Sequence, residues 1–185
     1  MTEIHPESVS DAGVLTCGEA TMRLLAAYGV DTVFGIPGVH TLDFCRGLAD
    51  GPITHVQVRN EQGAGFMAAG YARASGGVGV AIVTSGPGAT NCVTPVRDCM
   101  ADSIPIVLIC GQVPRAAIGT DAFQEAPVTA VMGSVAKHVF LVTDPESLES
   151  TVRTAFEIAR TGRPGPVVVD IPKDVQNWEG AFEGE

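Results

Sequence analysis

Apolar and polar positions along this chain fall into two alternating kinds of block. Short runs rich in Val, Ile and Phe span Thr32 to Phe34, Ile53 to Val58, Val78 to Val83, Pro105 to Cys110, His138 to Val142 and Pro166 to Ile171. Val78 to Val83 contains no polar side chain, as expected of a strand buried on both faces of a parallel sheet. Between these runs the spacing is helical. Thr16-Cys17-Gly18-Glu19 has the form of a capping box; Leu24, Leu25 and Tyr28 follow at helical intervals, and Gly29 sits where such a helix stops. Further helices are predicted over Thr41 to Ala49, Glu61 to Ala74 and Ala89 to Asp102, the last with Pro95 in its first turn or at a kink. Asp144-Pro145 opens a final helix with Leu148, Val152, Ala155, Phe156 and Ala159 on one face and Gly162 at its end.

Strand and helix alternating in this way predict an α/β fold, a three-layer sandwich with a mostly parallel six-stranded sheet and helices on both faces. The expected domain is 16–175, preceded by an acidic tail over 1–15 and followed by a linker or tail over 176–185. Gly111 to Ala126 reads as one long loop, of the length that often carries function.

Composition changes this picture little. Of the formal charge of −10, much comes from the two ends, and residues 12–178 hold 11 basic and 15 acidic side chains. Without a basic stripe, nucleic acid is not an expected partner. No apolar run reaches the roughly 20 residues of a membrane span, so no membrane is expected either. The polar first residues lack a signal-peptide pattern, which makes cytoplasm the expected compartment. The five cysteines (Cys17, Cys45, Cys92, Cys99, Cys110) form no C-x-x-C pair and read as small buried hydrophobes. No metal ligands are expected.

The candidate chemistry gathers where α/β folds bind ligands, beyond the carboxyl ends of the strands. Gly35-Ile36-Pro37-Gly38 follows the first strand, Asn60-Glu61-Gln62 the second, Ser85-Gly86-Pro87-Gly88 the third and Gly111-Gln112 the fourth. Such glycines are expected to let backbone approach a ligand closely. Gly63-x-Gly65 lies within a helix rather than before one, so it is not a phosphate-binding turn, and Ser85 reads as a turn residue rather than a nucleophile. Acidic residues are common in a helix's first turn for reasons of dipole alone. Glu61, however, emerges at the ligand edge beside Val56, Val58 and Phe66, a setting suited to proton traffic with a nitrogen heterocycle.

The series Glu61 to Arg73, Thr84 to Asn91, Gly111-Gln112-Val113-Pro114, Ile118 to Glu125 and Gly162 to Val167 resembles the amino-terminal, pyrimidine-binding domain of thiamine-diphosphate enzymes of the acetolactate synthase type. The resemblance implies that Glu61 hydrogen-bonds N1′ of the aminopyrimidine, so that the 4′-nitrogen takes the proton from thiazolium C2. It implies that Ile36, Pro37, Gly38, Thr84, Gly86, Pro87, Gly88 and Asn91 line the cofactor. Gln124 becomes a second catalytic candidate, and Val39, His40, Phe123 and Gln124 are expected to face a 2-oxo acid substrate, the last two across a dimer interface. Mg²⁺ and the diphosphate belong to a separate carboxy-terminal domain beginning Gly-Asp-Gly, a run absent here. The expected partners are therefore that domain or subunit and further copies of the chain, as a homodimer or higher assembly. FAD is a further candidate cofactor of the complete enzyme.

Synthases of this type usually carry a second glycine and a small residue where Val39-His40 stand, and often a histidine at the positions of Asn60 and Phe66. Gly35-Ile36-Pro37-Gly38-Val39-His40 with Gly63-Ala64-Gly65-Phe66-Met67 also resembles decarboxylases of 5-guanidino-2-oxopentanoate. Two other readings are a non-catalytic cofactor-binding or regulatory module, against which the presence of Glu61 speaks, and a flavodoxin-like nucleotide binder, against which the missing phosphate turn speaks.

Overall fold

The computed structural model describes residues 14–182; the expected acidic tail, apart from its last two residues, lies outside them, as do 183–185. In chain order the elements are β1 (Leu15–Thr16), α1 (Cys17–Ala27), β2 (Thr32–Gly35), α2 (Leu42–Ala49), β3 (Thr54–Gln57), α3 (Glu61–Ser75), β4 (Gly79–Val83), α4 (Pro87–Asn91), α5 (Val93–Asp102) and β5 (Ile106–Gln112). They continue with α6 (Val128–Gly133), β6 (His138–Leu141), α7 (Leu148–Arg160), β7 (Val167–Pro172), α8 (Lys173–Gln176) and β8 (Glu179–Gly180).

Six strands form one sheet in the order β3-β2-β4-β5-β7-β6, and every pairing in it is parallel. The sheet is thus parallel throughout, and it is the middle layer of a three-layer α/β sandwich. Side chains on a strand alternate between faces, and β5 divides its residues accordingly. Val107 and Ile109 join Leu24, Leu25, Phe44, Leu148, Val152 and Phe156, under α1, α2 and α7. Ile106, Leu108 and Cys110 join Ala64, Ala68, Ala72, Val96, Cys99 and Met132, under α3, α5 and α6. All seven residues of β5 are buried, which is why its sequence shows no polar alternation.

Local signals account for most element ends. The Thr16 hydroxyl accepts from the Glu19 amide at 3.2 Å while Glu19 accepts from the Thr16 amide at 2.9 Å, closing the capping box at the start of α1. Pro95 is accommodated because the predicted helix over Ala89 to Asp102 divides at Cys92, which puts the proline in the first turn of α5, where no intrahelical donor is needed. Asp144 caps a short 3-10 turn over Pro145–Ser147, and α7 begins after it at Leu148. All five residues of its predicted apolar face are buried.

Two regions differ from expectation. The long loop contains a 3-10 turn at Arg115–Ala117 and is followed by α6, whose sequence Val-Thr-Ala-Val-Met-Gly carries no capping signal. The segment expected as a tail also packs back on the domain. Gln176 is fully buried, β8 pairs antiparallel with β1, and the Cys17 amide donates to the Trp178 carbonyl at 2.8 Å. Among the described residues no helix is long and apolar enough to cross a membrane.

Candidate functional site

The strand order places a topological switch point between β2 and β4. From β2 the chain moves through α2 to β3 on one side, and from β4 it moves through α4 and α5 to β5 on the other. Connections that diverge from neighbouring parallel strands leave a crevice at the carboxyl edge. Gly35-Ile36-Pro37-Gly38 and Thr84-Ser85-Gly86-Pro87-Gly88 are the turns that flank it. An open cleft of about 590 Å³, lined by Ile36, Gln57, Val58 and Arg59, runs along the same edge. A smaller hollow of about 180 Å³ lies between α1 and α2, lined by residues such as Glu19, Met22, Gly47 and Ile53. It touches none of the motif turns, so the chemistry points to the cleft.

Glu61 begins α3, behind an N-cap in which the Asn60 side chain accepts from the Gln62 amide at 2.9 Å. Two contacts fix this first turn to the α4–α5 junction. The Asn91 amide donates to Glu61 Oε2 at 2.8 Å, and the Cys92 thiol donates to the Glu61 backbone carbonyl at 3.3 Å. Glu61 is half-buried, and its Oε1 has no hydrogen-bond partner among the described residues. Nearby in sequence, Val58 is buried, Val56 half-buried and Phe66 43% exposed. The result is a carboxylate with one oxygen held by the fold, at the head of a helix on the carboxyl edge of the sheet.

Across the crevice, the 113–127 loop is tied to the turn after β4. The Ser85 hydroxyl donates to the Gln124 carbonyl, and Gly86, at φ 52°, leaves room for it: a Cβ there would lie 2.3 Å from the Gln124 oxygen. Gln124 itself has φ 58°, a backbone conformation that is uncommon for a residue with a side chain. The Glu125 carboxylate accepts from the amides of Gly119 and Ala122, the latter at 3.1 Å, and these backbone donors hold it below the usual carboxylate range. Phe123 is left 76% exposed.

Three glycines of this edge admit other parts of the protein: Gly38 packs on Thr84, Gly86 on the Gln124 carbonyl and Gly111 on the His40 carbonyl, where a Cβ would sit 1.8 Å away. Among the side chains expected to face substrate, Val39 is exposed and Gln124 half-buried, but His40 is turned into the fold with only 7% of its surface exposed. Its ring lies against the Thr84 and Ser85 hydroxyls. Of the residues expected to line the cofactor, Pro37, Pro87 and Asn91 are exposed, Ile36 and Gly38 half-buried, and Thr84, Gly86 and Gly88 buried.

Two polar residues of this region, Asp170 and Gln176, escaped the sequence reading, and they are linked respectively to the edge residues Gln112 and His40 that it named. Asp170, within the apolar run of β7, is 1% exposed. Gln112 Nε2 donates to its Oδ2 at 2.8 Å, whereas Oδ1 has no partner. Burial pushes the Asp170 carboxyl up to about 7, against the opposing effect of the Gln112 hydrogen bond. Gln112 Oε1 also accepts from the Val113 amide at 2.9 Å, where the loop departs from β5. Gln176 Nε2 donates to the carbonyls of His40 and Ile171 at 2.8 and 2.7 Å. A lone charge inside a strand buried on both faces was the available signal for Asp170; Gln176 had none.

All five cysteines are free, and Cys45 alone is partly exposed. Burial pushes the thiols of Cys17, Cys92 and Cys99 up to about 12, so these are inert core thiols rather than nucleophiles.

Comparison with known proteins adds the following. A family profile described as the thiamine pyrophosphate enzyme, N-terminal TPP binding domain, matches residues 15–132. The acetolactate synthase large subunit of Corynebacterium glutamicum is 52% identical over 169 residues, covering 91% of this chain and 27% of that protein. The acetolactate synthase isozyme 2 large subunit of Escherichia coli is 52% identical over 162 residues, covering 88% and 30%. Acetolactate synthase 1 of rice, a chloroplast protein, is 53% identical over 156 residues, covering 84% and 24%. The chain spans about a quarter to a third of the length of these relatives.

Proposed function

The chain belongs to the thiamine pyrophosphate enzyme family, in the family's N-terminal binding domain, and from that membership we propose that it grips the aminopyrimidine of thiamine diphosphate in an acetolactate synthase-type enzyme. The observation that carries the proposal is Glu61, half-buried at the head of α3 on the carboxyl edge of the sheet, with Oε2 held by Asn91 from the α4 side. This donor and acceptor set fits the pyrimidine end of the cofactor. A ring nitrogen needs one positioned carboxylate oxygen, and a flat heterocycle needs apolar wall of the kind Ile36 and Val58 supply in the cleft. On this reading the diphosphate and its Mg²⁺ belong to another domain or subunit, for which the greater length of the relatives leaves room.

When bound, thiamine diphosphate supplies the carbon nucleophile and the electron sink for 2-oxo acid chemistry. The chain's own residues hold and place it. Glu61 shares a proton with N1′ of the pyrimidine, and Asn91 keeps the carboxylate from rotating away. The turn Thr84 to Gly88 and the turn Ile36 to Gly38 flank the ring, while Val39 borders the space left for substrate. Further parts of the proposal are a homodimer or higher assembly, in which the loop carrying Phe123 and Gln124 serves a partner's site, and FAD in the complete enzyme. The relatives carry the synthase name, and His40, the residue that raised the guanidino-acid decarboxylase reading, has its ring engaged within the fold.

The test is product analysis with the complete protein that carries this chain. Given pyruvate, thiamine diphosphate and Mg²⁺, it is expected to release one CO₂ and form one acetolactate for every two pyruvates consumed. Release of aldehyde as the sole organic product, or indifference to 2-oxo acids, would overturn the reading.

A further inference from the structure

His40 is buried at both its ends. Its carbonyl accepts from the buried Gln176 amide at 2.8 Å and rests in the space left by Gly111. Its ring Nδ1 lies 3.3 Å from Ser85 Oγ and 3.4 Å from Thr84 Oγ1. A serine hydroxyl has one hydrogen to donate, and that of Ser85 goes to the Gln124 carbonyl. Toward His40, therefore, Ser85 can only accept, and a hydrogen bond between them takes its hydrogen from Nδ1; the Thr84 hydroxyl is the competing donor, and a bond from it would leave Nδ1 bare. The three groups form a directed chain: His40 Nδ1–H to Ser85 Oγ, then Ser85 O–H to the Gln124 carbonyl. Each link polarises the next in the same sense.

We propose that His40 is a positioning residue, held as the Nδ1–H tautomer, that acts through Ser85 to lock the loop bearing Phe123 and Gln124 onto the turn after β4. Several observations support this. Gln124 keeps a left-handed backbone at φ 58°, a conformation that persists where its surroundings impose it. The space for its carbonyl exists only because residue 86 is glycine. Burial, and then the charge of Lys173 on α8, lowers the His40 pKa from its ordinary value, so the ring stays neutral. In this role the histidine tethers a loop rather than touching substrate. The proposal rests on the reading above only in giving that loop a function; the link itself is a property of the fold.

The experiment joins hydrogen–deuterium exchange with NMR of the ring nitrogens, both on the 185-residue chain. Its own helices cover both faces of its sheet, and its two cores close within it. In the wild type the His40 nitrogens are expected to show the Nδ1–H pattern. Ser85→Ala should change that pattern and speed exchange across residues 119–126 by roughly tenfold, the worth of one hydrogen bond. His40→Ala should speed the same segment while β4 and β5 keep wild-type protection. His40→Asn, which retains a donor close to the Nδ1 position and does not titrate, should restore slow exchange. An Nε2–H tautomer in the wild type overturns the proposal, as does unchanged loop exchange in Ser85→Ala. Equal loosening by His40→Ala and His40→Asn would do so as well. If His40→Ala does not fold, the tautomer and Ser85→Ala decide the matter.

Discussion

Glu61 is one of 21 acidic residues, and its surroundings distinguish it: it heads α3 at the carboxyl edge of the sheet, with one oxygen held by Asn91. Replacing it by Gln keeps the size and a hydrogen-bonding head but removes the titratable proton. In the complete enzyme the expected result is retained cofactor binding with proton exchange at cofactor C2 slowed about 10²–10⁴-fold, the usual worth of a positioned proton transfer. Deuterium exchange at C2, followed by quenched-flow NMR, measures it; a wild-type rate in Glu61→Gln would reduce Glu61 to a helix-start residue. Asp170 makes a different prediction, about stability. Its carboxyl titrates near 3.8 when unfolded and about 7 when folded, because burial disfavours the charged form. The folded state then binds more protons across that window, so stability falls as pH rises through it. The contribution is complete below about pH 4 and lost above about pH 7, with a magnitude on the order of 4 kcal/mol at most. Asp170→Asn should flatten this part of the pH dependence in urea unfolding, and matching profiles for the two proteins would refute it. At this scale the sequence exposed Glu61 through its place after a strand and at a helix start. The pairing of Glu61 with Asn91, 30 positions along, depends on two elements meeting and leaves no local mark.

At the scale of elements, α3 shows how one residue type carries opposite meanings along a single helix. A Cβ on Gly65 would lie 2.4 Å from Pro95 Cγ, so at this point α3 and α5 touch through the missing side chain. A Cβ on Gly70 would meet nothing within 4 Å. Glycine in a helix interior is disfavoured against alanine by about 1 kcal/mol, whereas forcing a methyl into a closed contact costs typically about 1–3 kcal/mol. Gly70→Ala is therefore expected to stabilise the chain by up to about 1 kcal/mol, and Gly65→Ala to destabilise it. Urea midpoints of the two variants test this, and a reversed order would show that the α3–α5 contact is not as tight as described. The same scale explains which elements were legible. The helices α1 and α7 carry a capping box and an amphipathic stripe, and the buried strands carry apolar runs. By contrast α6 is short, rich in β-branched residues and uncapped, so its helicity comes from burying Val128 and Met132. The strand pair β1–β8 joins residues 15–16 to 179–180, and two-residue strands have no periodicity to read.

For the whole molecule, the family relationship and the switch point together imply a protein that holds one end of a cofactor. The 185-residue chain alone is expected to bind thiamine diphosphate weakly and to turn over no pyruvate, because the proposed function assigns the diphosphate and Mg²⁺ contacts to another domain or subunit. Titration calorimetry with cofactor and Mg²⁺, paired with a pyruvate-consumption assay, is the check; steady turnover by the isolated chain would contradict it. What the sequence by itself determined was the α/β class, the six strands, the gathering of the motif turns at the carboxyl edge of the sheet, and the family. These follow from patterns spanning a few residues: side-chain period, turn residues and the order of motifs. Only the tertiary structure decided that the sheet is parallel throughout, that the edge glycines admit neighbouring backbone and side chains, and that His40 points inward to Ser85. It alone showed Asp170, Gln112 and Gln176 as buried polar links. Each of those outcomes depends on which distant segments come to lie side by side. A buried polar atom takes whatever partner the fold brings within about 3 Å, and no local pattern along the chain encodes that partner.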